Sequence, residues 1–150
     1  MKKFIFSLER VLEYKRQVLG MKKSELSLLR FREESLERQM EEKNREFSSV
    51  GRILAEKMGA GMDPGRISAY GVYLGELNRD AVRLLEQKKQ TAEKAGEKQR
   101  EIVRMNSEIQ GLRRLKDRQF SEYSREGQKQ QEAFLDEFVG RVGNPRGVKA

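Results

Sequence analysis

Apolar side chains recur every seven residues along most of the chain. In the first half one column holds Leu12, Leu19, Leu26, Glu33, Met40, Phe47 and Leu54, six of seven apolar, whereas the companion column of Leu8, Lys15, Lys22, Leu29, Leu36, Lys43, Val50 and Lys57 is apolar at four of eight. These are the a and d positions of a coiled coil, with a strong a and a diluted d. In the second half the a column reads Ile67, Leu74, Ala81, Lys88, Ala95, Ile102 and Ile109, and the d column reads Tyr70, Leu77, Leu84, Thr91, Lys98, Met105 and Leu112. Both seams are interrupted by charge, at Lys15, Lys22, Lys43, Lys88 and Lys98. Burying such lysines unpaired is costly.

Three of the thirteen glycines and one of the two prolines fall within Gly59-Ala60-Gly61-Met62-Asp63-Pro64-Gly65. That cluster predicts a turn, and Asp63-Pro64 is a helix start with Asp63 as N-cap and Pro64 at the first helical position. The pattern therefore predicts one coiled-coil domain: a helix over about 7–58, a turn over 59–65, a helix over about 66–142 and a disordered tail over 143–150. Folded back near residue 62, residue i faces residue ~125 − i, which sets Phe47 against Leu77, Met40 against Leu84 and Leu19 against Met105. The expected fold class is all-α, a long antiparallel two-helix coiled-coil hairpin.

At 1.5 Å per residue the first helix would be about 78 Å long and the second about 115 Å. The second helix should outrun its partner near Gln119, yet Phe134, Leu135, Phe138, Val139 and Val142 continue an i, i+3/i+4 apolar stripe. A stripe without a partner marks an interaction surface, unless the segment folds back or pairs with a second copy. Phe4, Phe6, Leu8, Val11 and Leu12 form another apolar cluster at the other terminus, so both ends of the chain contribute to one candidate docking end.

Composition agrees with long helices, since Ala, Leu, Glu, Lys and Arg supply 75 of the 150 residues and charged residues 37%. With no Cys and no His, the chain has no disulfide, no thiolate or imidazole metal ligand, and no Cys or Ser-His nucleophile. No phosphate-cradling glycine motif occurs, and the adjacent Asp136 and Glu137 point about 100° apart on a helix. No enzyme, cofactor, metal or small-molecule substrate is expected. The apolar run Phe4-Ile5-Phe6 ends at Glu9-Arg10, too short for a signal peptide, and nothing approaches a membrane span. A cytoplasmic protein, or one peripheral on a membrane complex, is expected. The net charge of +8 raises the alternative of a basic coiled coil that binds nucleic acid or another polyanion. Against nucleic acid, acids such as Glu33-Glu34, Glu37 and Glu41-Glu42 are interspersed with the bases, and no zinc-finger, RRM or basic-zipper pattern occurs.

Three stretches together point to a family. Phe6-Ser7-Leu8-Glu9-Arg10-Val11-Leu12 resembles the opening of the flagellar export protein FliJ family, Met58-Gly59-Ala60-Gly61-Met62 its inter-helix turn, and residues 128–138, ending Asp136-Glu137-Phe138, its C-terminal signature. The resemblance implies a component of the flagellar type III export apparatus, shaped like the central coiled-coil stalk of rotary ATPases. It implies three partners: the hexameric export ATPase, the integral-membrane export gate protein and the flagellar export chaperones, at the cytoplasmic face of the cell membrane by the flagellar basal body. ATPase docking would then fall to Phe6, Leu8, Val11, Leu12, Phe134, Leu135, Phe138 and Val139, and gate binding to Gln39, Val50, Tyr73 and Leu77 near the turn. Lys43, Glu46 and Asp80 depart from the neutral or apolar residues the family pattern expects between them.

Overall fold

The computed structural model describes residues 2–143, and these are all-helical, with no strand: α1, Glu9–Gly59, and α2, Pro64–Gly143, pack against each other as the heptads require. The expected tail at 144–150 lies outside the described residues. α1 begins two residues later than the periodicity suggests, because residues 7 and 8 make a turn in which the Glu9 amide donates to the Phe6 carbonyl at 3.1 Å. It ends where the amides of Ala60 and Gly61 donate to the carbonyls of Glu56 and Met58. Gly61 then takes φ of +88°, a left-handed conformation that glycine alone adopts without strain. α2 starts at Pro64, the first helical position that Asp63-Pro64 marks, ahead of the rounded bound of 66, since proline has no amide to leave unbonded in a first turn. The Asp63 carbonyl accepts from the amides of Arg66 and Ile67 at 3.0 and 3.1 Å, which puts Asp63 at the N-cap.

The chain divides into two compact units, Met1–Leu19 with Arg104–Ala150, and Gly20–Val103. In the first, Phe6, Leu12 and Ile109 form the buried core, and Phe4, Leu8, Leu19, Met105, Leu112 and Leu115 close around it. Leu12, Leu19, Met105, Ile109 and Leu112 are all seam positions, so the heptads bury what they were expected to bury. Lys15 Nζ lies 2.7 Å from Glu108 Oε2, and Lys116 Nζ lies 2.8 Å from Glu9 Oε2. That Glu9 oxygen is buried and off the hydrogen-bonding angle, so charge attraction alone holds it.

The second unit buries Leu36, Leu77, Ala95 and Ile102. Four ion pairs cross from helix to helix: Lys22 to Glu101 at 2.8 Å, Glu25 to Lys98 at 2.6 Å, Lys43 to Asp80 at 3.8 Å, and Glu37 to Lys88. The numbers in each pair total 123 or 125, in agreement with the antiparallel register expected from the seams. Of the six lysines in the seam columns, Lys57 donates to the Tyr70 hydroxyl at 2.9 Å, and the other five are paired with carboxylates, one in the first unit and four in the second. The side chains of these five are only 23–36% exposed, so the stems cover the seam while the ammonium groups reach carboxylates at its border. The cost assigned to unpaired lysines does not arise.

Candidate functional site

Leucine and phenylalanine at i, i+3 and i+4 on a helix share a face, and they are covered only if another element lies against that face. Along α2 every described side chain from residue 128 to 142 is exposed, with Phe134 at 66%, Leu135 at 54%, Phe138 at 56%, Val139 at 62% and Val142 at 61%. The face is uncovered, as the length mismatch led one to expect, but it starts later. Coverage continues past Gln119 to Gly127, because residues ahead of α1 extend along α2. The Phe4 ring sits 5.3 Å from Phe120, edge to face, and 5.4 Å from Tyr123, whose hydroxyl donates to the Lys2 carbonyl.

The N-terminal residues expected to share in docking separate into two kinds. Phe6 and Leu12 are 5% and 0% exposed, committed to the unit's own core, and Leu8 is half-buried against them. Only Val11, at 41%, presents a surface. Three exposed residues with large apolar side-chain surface in this unit were not singled out by the heptads: Ile5, at 80%, Tyr14, at 66%, and Phe120, at 51%. Ile5 was findable, because alternation in an extended Phe4-Ile5-Phe6 segment sends the middle side chain away from the face its neighbours bury.

In the second unit Gln39 and Tyr73 are exposed, Val50 is half-buried, and Leu77 is buried between the helices. Tyr73 donates its hydroxyl to a Glu46 carboxylate oxygen, and that bond, helped by slight desolvation and the charges of Glu46 and Glu76, raises the phenol's pKa. Lys43 and Asp80 pair with each other. The three residues that depart from the family pattern are thus mutually accounted for: two form an ion pair, and the third accepts from Tyr73.

Nothing in this arrangement resembles an enclosed reaction site. A cleft of about 600 Å³ beside Lys2, Tyr123, Glu126, Gly127 and Gln130 is an open depression. Among the described residues no three His, Cys, Asp or Glu side chains are placed to hold a metal ion, and no helix is long and apolar enough to cross a membrane. The geometry offers surfaces for association: an apolar face on α2 and a polar, tyrosine-bearing patch on the second unit.

Compared with known proteins, residues 4–147 match a family model described as flagellar FliJ protein. No curated protein and no solved structure matches the chain.

Proposed function

The chain belongs to the flagellar FliJ family and is a component of flagellar export, and from that premise we propose that it docks to the export ATPase hexamer and links it to the membrane export gate and the export chaperones. The observation that carries this reading is the uncovered face of Phe134, Leu135, Phe138 and Val139. Four large apolar side chains in one stripe form a helix-in-groove ligand, and the groove of a partner would remove from water what the unit leaves exposed. Val11, Ile5 and Phe120 add apolar surface on the same unit. Gate binding by the second unit is supported by the exposure of Gln39 and Tyr73, while Leu77 would act by holding the helices in register, since it is buried. Such a protein works at the cytoplasmic face of the membrane without entering it.

Binding of the full-length protein to the purified flagellar export ATPase tests the proposal. The double variant Phe134→Ser with Phe138→Ser should lose most of that binding and keep its helicity. Affinity of the unaltered chain should change little between about 50 and 200 mM salt, the range over which phosphate-dominated binding falls steeply. Undiminished binding by the double variant would contradict the docking role.

A further inference from the structure

On the side of α2 turned away from the seam, four arginines share a column: Arg104, Arg114, Arg118 and Arg125. At 100° per residue they fall, with Ser107, Gly111 and Ser121 between them, on a face roughly 100° wide and about 31 Å long. All seven are exposed.

Two features describe this ribbon, the first of them shared with other exposed bases such as Lys23, Arg45, Lys89 and Lys94. The first is its lack of partners. The seam lysines other than Lys57 each hold a carboxylate, and Arg30, Arg83 and Arg141 are paired along their own helices. Among the described residues no carboxylate comes within 4.0 Å of Arg104, Arg114, Arg118 or Arg125, even though Glu108 is near enough for Arg104 to help lower its pKa, behind the larger effect of Lys15. The second is its borders. Asp117 edges the ribbon on one side, Glu108 and Glu122 edge it on the other, all three exposed, and Glu132 ends the column.

Those borders decide which anion fits. A broad anionic plane, such as a lipid surface, would press its charge onto the flanking carboxylates as well as the arginines. A single file of negative charge avoids them. The arginines recur at helical intervals, and Ser107, Gly111 and Ser121 are small enough for a neighbouring helix to approach closely; a Cβ added at Gly111 would meet nothing within 4 Å. We infer that this ribbon is a docking surface for a partner helix that carries one acidic column, seated along α2 between residues 104 and 125. The inference is independent of the flagellar reading and of the apolar face beyond Gly127.

The full-length protein can be titrated against two labelled helical peptides of equal composition. One places its glutamates in a single i, i+3/i+4 column, and the other spreads them around the helix. The column peptide should bind, and the variant R104Q/R114Q/R118Q/R125Q should bind it about tenfold more weakly or worse, the combined effect expected of four exposed ion pairs. Glutamine is a good helix former, so helicity should be kept. The charge-matched variant K23Q/R45Q/K89Q/K94Q should bind as the unaltered chain does. As a second route, Ser107→Glu with Ser121→Glu should also abolish binding, with every arginine still present. Equal binding of the two peptides, or equal loss in the two glutamine variants, would overturn the inference. So would tighter, ribbon-dependent binding of a single-stranded oligonucleotide or of phosphatidylserine vesicles than of the column peptide.

Discussion

Lys22 and Glu101 meet at 2.8 Å across the two helices, although Lys22 stands in the seam and Glu101 stands one residue before it. The same offset recurs where Lys15 meets Glu108 and Lys43 meets Asp80, just ahead of Ile109 and Ala81. Where the first helix instead places leucine in that column, at Leu29 and Leu36, the residues opposite by the same register are Lys94 and Gln87. In this column an acid stands opposite Lys15, Lys22 and Lys43 and none stands opposite Leu29 or Leu36, while Lys57, nearest the turn, faces Arg66 by the same register and donates instead to the Tyr70 hydroxyl at 2.9 Å. This pattern specifies both the register and the antiparallel direction, the use of charge best attested for coiled coils.

Charge reversal at one such pair should expose the rule. Lys22→Glu places like charges together and should lower the melting temperature by several degrees, and adding Glu101→Lys should restore most of the loss. Thermal unfolding of the two single variants and the double variant measures the coupling. Simple additivity would mean the pair sets nothing.

Acid and alkali should both weaken the fold, for different pairs. Hydrogen bonds from Lys22 and Lys15 lower the carboxyl pKa of Glu101 and Glu108 below the ordinary 4.5. Their contribution is present above that value and disappears as the pH falls through the lowered one. Hydrogen bonds to Glu37 and Glu25 raise Lys88 and Lys98 above the ordinary 10.5, so theirs is present below that value and disappears as the pH rises through the raised one. Melting temperature against pH should show a plateau between these limits, and Lys15→Gln with Lys22→Gln should make the acid limb shallower.

Core and face should respond oppositely to truncation of a side chain. Leu12 and Leu36 are fully buried, one in each unit, and replacing either with Ala should cost about 2–5 kcal/mol. Phe134→Ala removes an exposed ring and should leave denaturant unfolding unchanged.

Much of this architecture was legible from periodicity and punctuation. Asp63-Pro64 marked the start of α2, and the seam columns gave a register within two residues of the observed pairs. Periodicity reports which positions face a partner, however, and not what that partner presents there. Lys15, Lys22, Lys43, Lys88 and Lys98 therefore read as interruptions until Glu108, Glu101, Asp80, Glu37 and Glu25 were found beside them. For the same reason Phe6 and Leu12 read as surface to be docked, whereas the chain's own α2 covers them. The exposed face on α2 was readable because the first helix is too short to lie alongside it. The Tyr73 bond to Glu46 depends on two residues twenty-seven apart whose pairing no column encodes.

On the proposed reading, the apolar face on α2 serves a partner and the fold does not need it. Deleting everything after Gln131 removes Phe134, Leu135, Phe138 and Val139 and none of the buried core. One truncated protein should be measured twice, for its melting temperature and for its stimulation of the export ATPase. A melting temperature close to that of the full chain, with stimulation abolished, is expected. A markedly lower melting temperature with stimulation preserved would show that these residues serve the fold and would contradict that reading.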